Sequence, residues 1–310
     1  MAIFCTLITP DYLPFAKTLF DSLYSFDSEI EFYVLLTDHQ GKEGYSSLQF
    51  LGLSDLSDQN LVHRISDQYS PSSDAFRWSL KSVLMLHLLK QNPNSQVFFV
   101  DPDICFYSDF RFLYQELGDS SFLLSPHWKN RIPEKDDDSF VSLFTHGVFN
   151  AGFLGATSKG VPTLHWWAER CIEDCIDDSS RGLFVDQKYL DIFPLLSPDT
   201  KIISHPGCNV AIWNRNQSKK TKSKEGVVMV NGDYPIVFIH FTYIPYLIQH
   251  DAILLDFLKD YDARLTLHGW ENSLLKKGLR YIEKERLKSL TFIQRVARKF
   301  GNRSKMTLEK

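Results

Sequence analysis

The sequence predicts an α/β fold: a Rossmann-like, mostly parallel sheet flanked by helices, followed by a C-terminal helical extension. Three observations carry this. Short apolar, β-prone runs alternate with segments of helical period along the first hundred residues, the pattern of βαβ units. Those runs are apolar at nearly every position, as strands buried on both faces must be. The composition is 44% apolar or aromatic and 23% charged over 310 residues, enough to bury a core without disulfides or a structural metal.

Residues 2–8 (AIFCTLI) predict the first strand, broken by Thr9-Pro10-Asp11, and a helix follows with Phe15, Leu19, Leu23 and Tyr24 on one face. Residues 31–37 predict a second strand, 44–52 a helix and 61–65 a third strand. Residues 76–90 form an amphipathic helix that Asn92-Pro93-Asn94 ends. The most apolar strand, 96–100, runs straight into Asp101-Pro102-Asp103. Beyond residue 120, strands are expected at 122–126, 148–156 and 235–241, and helices at 162–175 and 185–191. The polar stretches 129–139 and 216–226 lack apolar periodicity and are expected as mobile loops. Residues 1–250 are expected to form the main domain and 251–310 a helical, basic extension.

The formal net charge of −4 hides an asymmetry. Residues 272–310 hold 12 Lys and Arg against 3 Glu, which leaves the remainder strongly acidic. The five cysteines, Cys5, Cys105, Cys171, Cys175 and Cys208, are odd in number; two lie in apolar strand-like runs, and Cys171 and Cys175 stand four apart in a helical stretch with no second Cys or His pair at zinc-site spacing. They are expected as buried thiols in a reducing, cytoplasmic compartment. No run approaches the length needed to span a bilayer, and the N-terminus lacks a basic leader followed by an apolar stretch.

The chemistry centres on FFVDPDICFYSD, residues 98–109. A buried strand delivers Asp101 and Asp103 at its carboxyl end, where open α/β sheets bind ligands. Ionised carboxylates leaving an apolar strand need a partner. A hard divalent cation is the natural one, and it can bridge to the phosphates of a nucleotide. Arg77 and Lys81 stand four apart on one helix face, placed to meet phosphate. Asn150-Ala151-Gly152 offers an amide and a backbone open to close approach. Asp186-Gln187 opens a helical segment, and His240 interrupts an apolar strand. With Asp101 and Asp103, His240 makes an O,O,N set suited to Mn²⁺ or Mg²⁺.

In this order the motifs resemble GT-A-fold glycosyltransferases, most closely glycosyltransferase family 8 and related bacterial lipopolysaccharide and capsule enzymes, over roughly residues 2–245. The resemblance implies that Thr6, Thr9 and Tyr12 hold the nucleoside and that Asp101, Asp103 and His240 hold the metal. It further implies that Asn150, Ala151 and Gly152 contact the donor sugar, that Asp186 binds sugar hydroxyls, and that Gln187 lies on the face of the anomeric carbon. The implied donor is a nucleotide sugar, UDP-galactose or UDP-glucose first, and the implied outcome is retention. The segment His205-Pro206-Gly207-Cys208-Asn209 with Trp213-Asn214 resembles one expected near the acceptor or diphosphate. Two departures stand out: a proline inside the acid pair, and no glycine–lysine cluster after His240, where Phe-Thr-Tyr-Ile-Pro follows. Two rival readings remain at this stage, a sugar nucleotidyltransferase and a non-catalytic nucleotide- or glycan-binding module. The first would normally carry a glycine-rich basic N-terminal loop, which this chain lacks.

Residues 271–305 combine apolar side chains at helical spacing with many Lys and Arg. Such a helix suits an anionic membrane surface, on the inner face of the cell membrane, or packs on the domain with its basic face in solvent. Nucleic acid is not expected as a partner, because the body is acidic and no recognition motif accompanies the tail. A glycan or lipid-linked acceptor completes the expected partners.

Overall fold

The computed structural model describes residues 2–37, 48–224 and 226–289. The chain divides into two compact units, 1–242 and 243–310. The first is built on β1 (Ala2–Ile8), α1 (Leu13–Tyr24), β2 (Glu31–Leu36), β3 (Gln49–Gly52), α2 (Gln59–Gln68), α3 (Asp74–Gln91), β4 (Gln96–Val100), β5 (Ile104–Phe106), α4 (Phe112–Leu117) and β6 (Phe122–Pro126). It continues through α5 (Asp137–Thr145), β7 (Phe149–Ala156), α6 (Val161–Glu173), β8 (Asp177–Asp178), β9 (Leu183–Phe184), a 3₁₀ segment (Gln187–Ile192), α7 (Phe193–Leu196) and β10 (Lys201–Ile202). It closes with β11 (Lys220–Lys222), β12 (Val228–Val230), β13 (Tyr234–Pro235) and β14 (Phe238–His240).

Seven strands form one sheet in the order β10-β6-β7-β4-β1-β2-β3. β1 runs parallel to β2 and β4, β2 to β3, and β6 to β10, while β7 is antiparallel to both its neighbours. Both faces are covered, which explains the continuous apolar runs. Ile3, Cys5 and Leu7 share one core with Val97 and Phe99 and with residues of α2, α3 and α6. Phe4 and Ile8 share the other with Phe98, Val100 and residues of α1. The chain leaves β1 towards β2 and β3, then crosses back to β4 on its other side. The carboxyl ends of β1 and β4 therefore flank a topological switch point, where such sheets bind ligands.

Several expectations are corrected. Residues 61–65 belong to α2, not to a strand. Asp58 caps that helix by accepting from the Leu61 N–H, and Leu61, Val62 and Ile65 bury one helical face. The third parallel strand is β3, inside the stretch expected as a helix, and residues 38–47 lie outside the described region. The stretch 129–139 runs into α5, capped by Asp136. Within 216–226, β11 pairs with β12 in a small antiparallel sheet completed by β13. Residues 235–241 split between β13 and β14, and β14 pairs antiparallel with β5. Residues 187–192 are 3₁₀ rather than α-helical.

The second unit holds α8 (Ile244–His250), α9 (Ala252–Leu267) and α10 (Leu274–Ser289). Asp262 on α9 accepts from the Leu274 N–H at 2.7 Å and from the Ser273 hydroxyl, fixing the start of α10. Gly278 lets α10 lie against Ile244 and Ile248 of α8, since a Cβ there would meet Ile248 Cδ1 at 2.6 Å. The part of the tail beyond residue 289 lies outside the described residues. Among the described residues, no helix is long and apolar enough to cross a membrane.

Phe98 stands at the centre of the sheet, stacked on Phe4 at 5.1 Å and packed against Tyr114 and Phe153. Truncating it as Phe98→Ala leaves a cavity in a close-packed layer, at an expected cost of about 3–5 kcal/mol. Urea unfolding checks this, and a cost below about 1 kcal/mol would contradict the packing described.

Candidate active site

Four strand ends meet at the switch point. β4 ends in a β-turn, Asp101-Pro102-Asp103-Ile104, closed by the Ile104 N–H donating to the Asp101 carbonyl at 3.1 Å. Proline pre-sets the backbone at the second turn position, which gives the unusual middle residue of the acid pair a structural role. β5 then pairs with β14 so that Ile104 faces His240. His240 Nε2 comes to lie 3.1 Å from Asp103 Oδ1 and 3.9 Å from Asp101 Oδ2. The ligand atoms of Asp101, Asp103 and His240 all lie within 4.8 Å of one another. Burial alone would lower the pKa of His240, but the charges of Asp103 and Asp101 outweigh it and hold the imidazole above its ordinary value. The position thus favours positive charge, and two carboxylates with one imidazole fit Mn²⁺ or Mg²⁺ as ligands.

β7 forms the back wall. The Asp101 N–H donates to the Gly152 carbonyl at 2.7 Å. A Cβ at Gly152 would meet His240 Cε1 at 2.5 Å, Asn150 Oδ1 at 2.8 Å and Asp101 Oδ2 at 2.9 Å. Only glycine lets these three side chains converge there.

Lys81, expected beside Arg77 as a second phosphate cation, lines the same cleft as Arg77 but is ion-paired within the protein. It is almost wholly buried, with Nζ 3.1 Å from Asp101 Oδ1 and 3.3 Å from Asp186 Oδ2, and it donates to the Ala151 carbonyl at 3.2 Å. Burial opposes its charge, yet Asp101 and Asp186 more than compensate and raise its pKa. Asp186 is buried too. Burial raises its carboxyl to about 6 against the opposing pull of Lys81, with Asp101 adding to the rise. The residue before it, Val185, has φ 45°, a region that β-branched residues avoid. The turn is held by the Val185 N–H on Ile176 and by the Trp167 indole donating to the Asp186 carbonyl at 2.8 Å.

Other predicted residues divide. Thr9, Tyr12 and Arg77 line an open cleft of about 520 Å³ that also reaches Asp101 and Asp103. Tyr12 is 41% exposed and lies on Phe15 with ring centroids 4.8 Å apart. Arg77 pairs with Asp74 and donates to the Ser72 carbonyl. Thr6 is fully buried inside β1, its Oγ1 without a hydrogen-bond partner, and the structure does not bring it to the cleft. Asn150 and Gln187 are joined: Gln187 Oε1 accepts from Asn150 Nδ2 at 2.9 Å and from the Ala151 N–H at 3.2 Å. In the 205–214 segment, Trp213 sets its ring edge-on to His240 at 5.2 Å, whereas His205 packs on Phe112 and Tyr234. Sequence reasoning missed Trp78, which lines the cleft beside Arg77 and reads in the helical pattern as core. It also missed the buried His127. All five cysteines are free and buried.

No family model matches the chain. It is 29% identical over 251 residues to the uncharacterized protein YfnF of Bacillus subtilis (strain 168), covering 77% of this chain and 80% of that protein. It is 25% identical over 250 residues to YfnD of the same organism, covering 77% and 76%. Among solved structures, the galactosyltransferase LgtC in complex with donor and acceptor sugar analogs superimposes with a TM-score of 0.52 and 15% identity, covering 90% of this chain and 100% of that one. The fold is GT-A. At that identity the likeness speaks to fold alone, and the chemistry rests on the site.

Lys81→Met leaves Asp186 buried without its counter-charge, and unfolding in chelator should show a loss of about 3–5 kcal/mol. Asp186 has a folded pKa of about 6, above the unfolded value of about 3.9. Such an acid loses stability as pH rises through that window. Without Lys81 the folded value climbs further, so the deficit should be larger at pH 8 than at pH 5. A deficit independent of pH would contradict the pairing.

Proposed function

We propose that this chain is a metal-dependent glycosyltransferase that moves a hexose from a nucleoside-diphosphate sugar to a glycan or lipid-linked acceptor. The observation that carries the reading is the set Asp101, Asp103 and His240, converging at the edge of a cleft that also holds Arg77, Thr9 and Tyr12. Support for the transferase class comes from the GT-A fold and from the bound donor and acceptor analogs in the LgtC structure. Resemblance to family 8 favours a uridine nucleotide, with galactose or glucose as the sugar.

The geometry supports the following roles. Asp101, Asp103 and His240 would hold Mn²⁺ or Mg²⁺, which would supply charge neutralisation for the departing diphosphate. Tyr12 and Thr9 offer an aromatic face and a hydroxyl to the nucleoside. Arg77, at the open side, exchanges Asp74 for phosphate oxygens, which its planar fork suits. Lys81 holds Asp101 and Asp186 together, which fixes Asp101 at the cleft while Asp186 stays buried behind it. Asn150, Ala151 and Gly152 are buried with their polar groups engaged inside the protein, so β7 backs the donor position from behind. Resemblance to family 8 favours retention, and with Asp186 committed to Lys81 the reading takes it as front-face attack, the acceptor proton passing to an oxygen of the leaving diphosphate.

The direct test incubates the purified protein with Mn²⁺ and a panel of nucleotide sugars and follows release of the nucleoside diphosphate. Turnover of one donor is expected, abolished by chelator and by Asp103→Ala. Silence across the panel would sink the enzymatic reading, and nucleotide binding without turnover would select a binding module.

The proposal places the protein in the cytoplasm, at the inner face of the membrane, through α10. Leu279 and Leu287 are 49% and 39% exposed beside Arg280, Lys284 and Lys288, with Glu283 among them and Lys288 paired to Glu285, an apolar and charged face whose basic excess suits anionic lipid. Sedimentation with phosphatidylglycerol vesicles should exceed that with phosphatidylcholine vesicles and fall on Lys284→Glu/Lys288→Glu. Equal behaviour on both lipids would remove the membrane role.

A further inference from the structure

His127 has no role in the site as read from the sequence, yet it is buried beside it. Its Nδ1 lies 2.9 Å from the Gly147 carbonyl, which can only accept, so Nδ1 carries the proton. Burial, with Lys129 nearby, pushes its pKa down to about 3; the ring is neutral and Nε2 is a bare acceptor. Asn150 Nδ2 stands 3.4 Å from that Nε2 and 2.9 Å from Gln187 Oε1, which engages both amide hydrogens.

Neither amide can turn round. The Ala151 N–H donates to Gln187 Oε1 at 3.2 Å, and Gln187 Nε2 donates to the His146 carbonyl at 2.9 Å. The Gly152 N–H donates to Asn150 Oδ1 at 3.2 Å. The same Oδ1 lies 3.3 Å from His240 Nδ1, so that nitrogen must be the donor. With Nδ1 committed as donor, a cation that takes the place of the proton Nε2 shares with Asp103 would meet the lone pair on Nε2, the atom facing Asp103 and Asp101. Trp213 braces the arrangement, edge-on to both imidazoles and donating from its indole to the His127 carbonyl at 3.1 Å.

We propose that His127 and Gln187 are positioning residues that act through Asn150 to lock His240 in its Nδ1–H tautomer, with Nε2 aimed at the cation. This deepens the metal-site reading above and rests on it. The polarity originates in four backbone groups between His146 and Gly152, which side-chain exchange cannot reverse, and it is transmitted through two amides and one neutral imidazole. Gln187, expected on the face of the anomeric carbon, thereby gains a different role: its amide oxygen and nitrogen are both engaged within the protein. Outer partners of this kind fix ligand orientation and typically alter metal affinity by about 10–100-fold when lost.

The test uses the full-length protein and two readouts. In the Mg²⁺-saturated wild type, long-range ¹H–¹⁵N spectra should show His240 protonated at Nδ1 and bare at Nε2; the opposite tautomer overturns the proposal, even if every variant fails to fold. Free Mn²⁺ measured by electron paramagnetic resonance should show His127→Phe, folded by circular dichroism, binding about 10–100-fold more weakly than wild type. His127→Gln, which keeps a donor and an acceptor, should recover part of that loss. Equal affinity of His127→Phe and wild type overturns the proposal while leaving the metal site standing. A wild type that binds no Mn²⁺ removes the metal-site reading itself, and the proposal with it.

Discussion

One buried ammonium lets the rest of the site exist. Lys81 sits between Asp101 and Asp186, two carboxylates delivered by different parts of the chain. Asp101 leaves a fully buried strand and Asp186 is itself buried. Without a cation between them, their mutual repulsion and the desolvation of Asp186 would drive the two segments apart or force a proton onto one of them. The lysine is supplied by α3, whose apolar residues are packed between the sheet and α6. A helix so held cannot withdraw its side chain. The interior of the first unit therefore fixes a charge arrangement at its surface, and the acidic surplus left at Asp103 favours a further cation there.

The same logic accounts for the unusual backbone nearby. Val185 holds a conformation that costs roughly 1–3 kcal/mol, and it places Asp186 opposite Lys81. The surrounding hydrogen bonds from Trp167 and to Ile176 hold that turn closed. Gly152 solves a steric problem rather than a conformational one, because no Cβ fits among His240, Asn150 and Asp101. The centre of the seven-stranded sheet rests on buried strands, with one register shift where β6 meets β7 at Leu124 and Ser125.

How much of this was legible depends on the distance over which each feature is determined. The strands of the parallel core could be read directly, since burial on both faces leaves runs such as 96–100 with hardly a polar residue. The run Leu61–Ile65 was misread because five residues with apolar positions at i, i+1 and i+4 satisfy both periods, and the Asp58 cap decides in favour of a helix. β11 is invisible to periodicity because pairing with β12, not burial, defines it. At the site, Asp101, Asp103 and His240 could be read because each is polar where the local pattern demands an apolar residue. The burial of Lys81 could not, since its place between two carboxylates depends on a partner 105 residues later in the chain. His127 lies in an irregular segment whose sequence carries no period, and only the fold brings it to the site; Trp213 stands out in the 205–214 segment, but its place edge-on to His240 depends on the fold.

The claim at the centre of this account is that the cation and the nucleotide share one site. Calorimetric titration of uridine diphosphate, with and without Mn²⁺, tests it most directly. Binding of the nucleotide should tighten with Mn²⁺ present, and Mn²⁺ should tighten by the same factor with the nucleotide present, as linkage requires. Nucleotide affinity that is indifferent to Mn²⁺ and to chelator would show that Asp101, Asp103 and His240 do not hold a cation against the diphosphate, and would contradict the account.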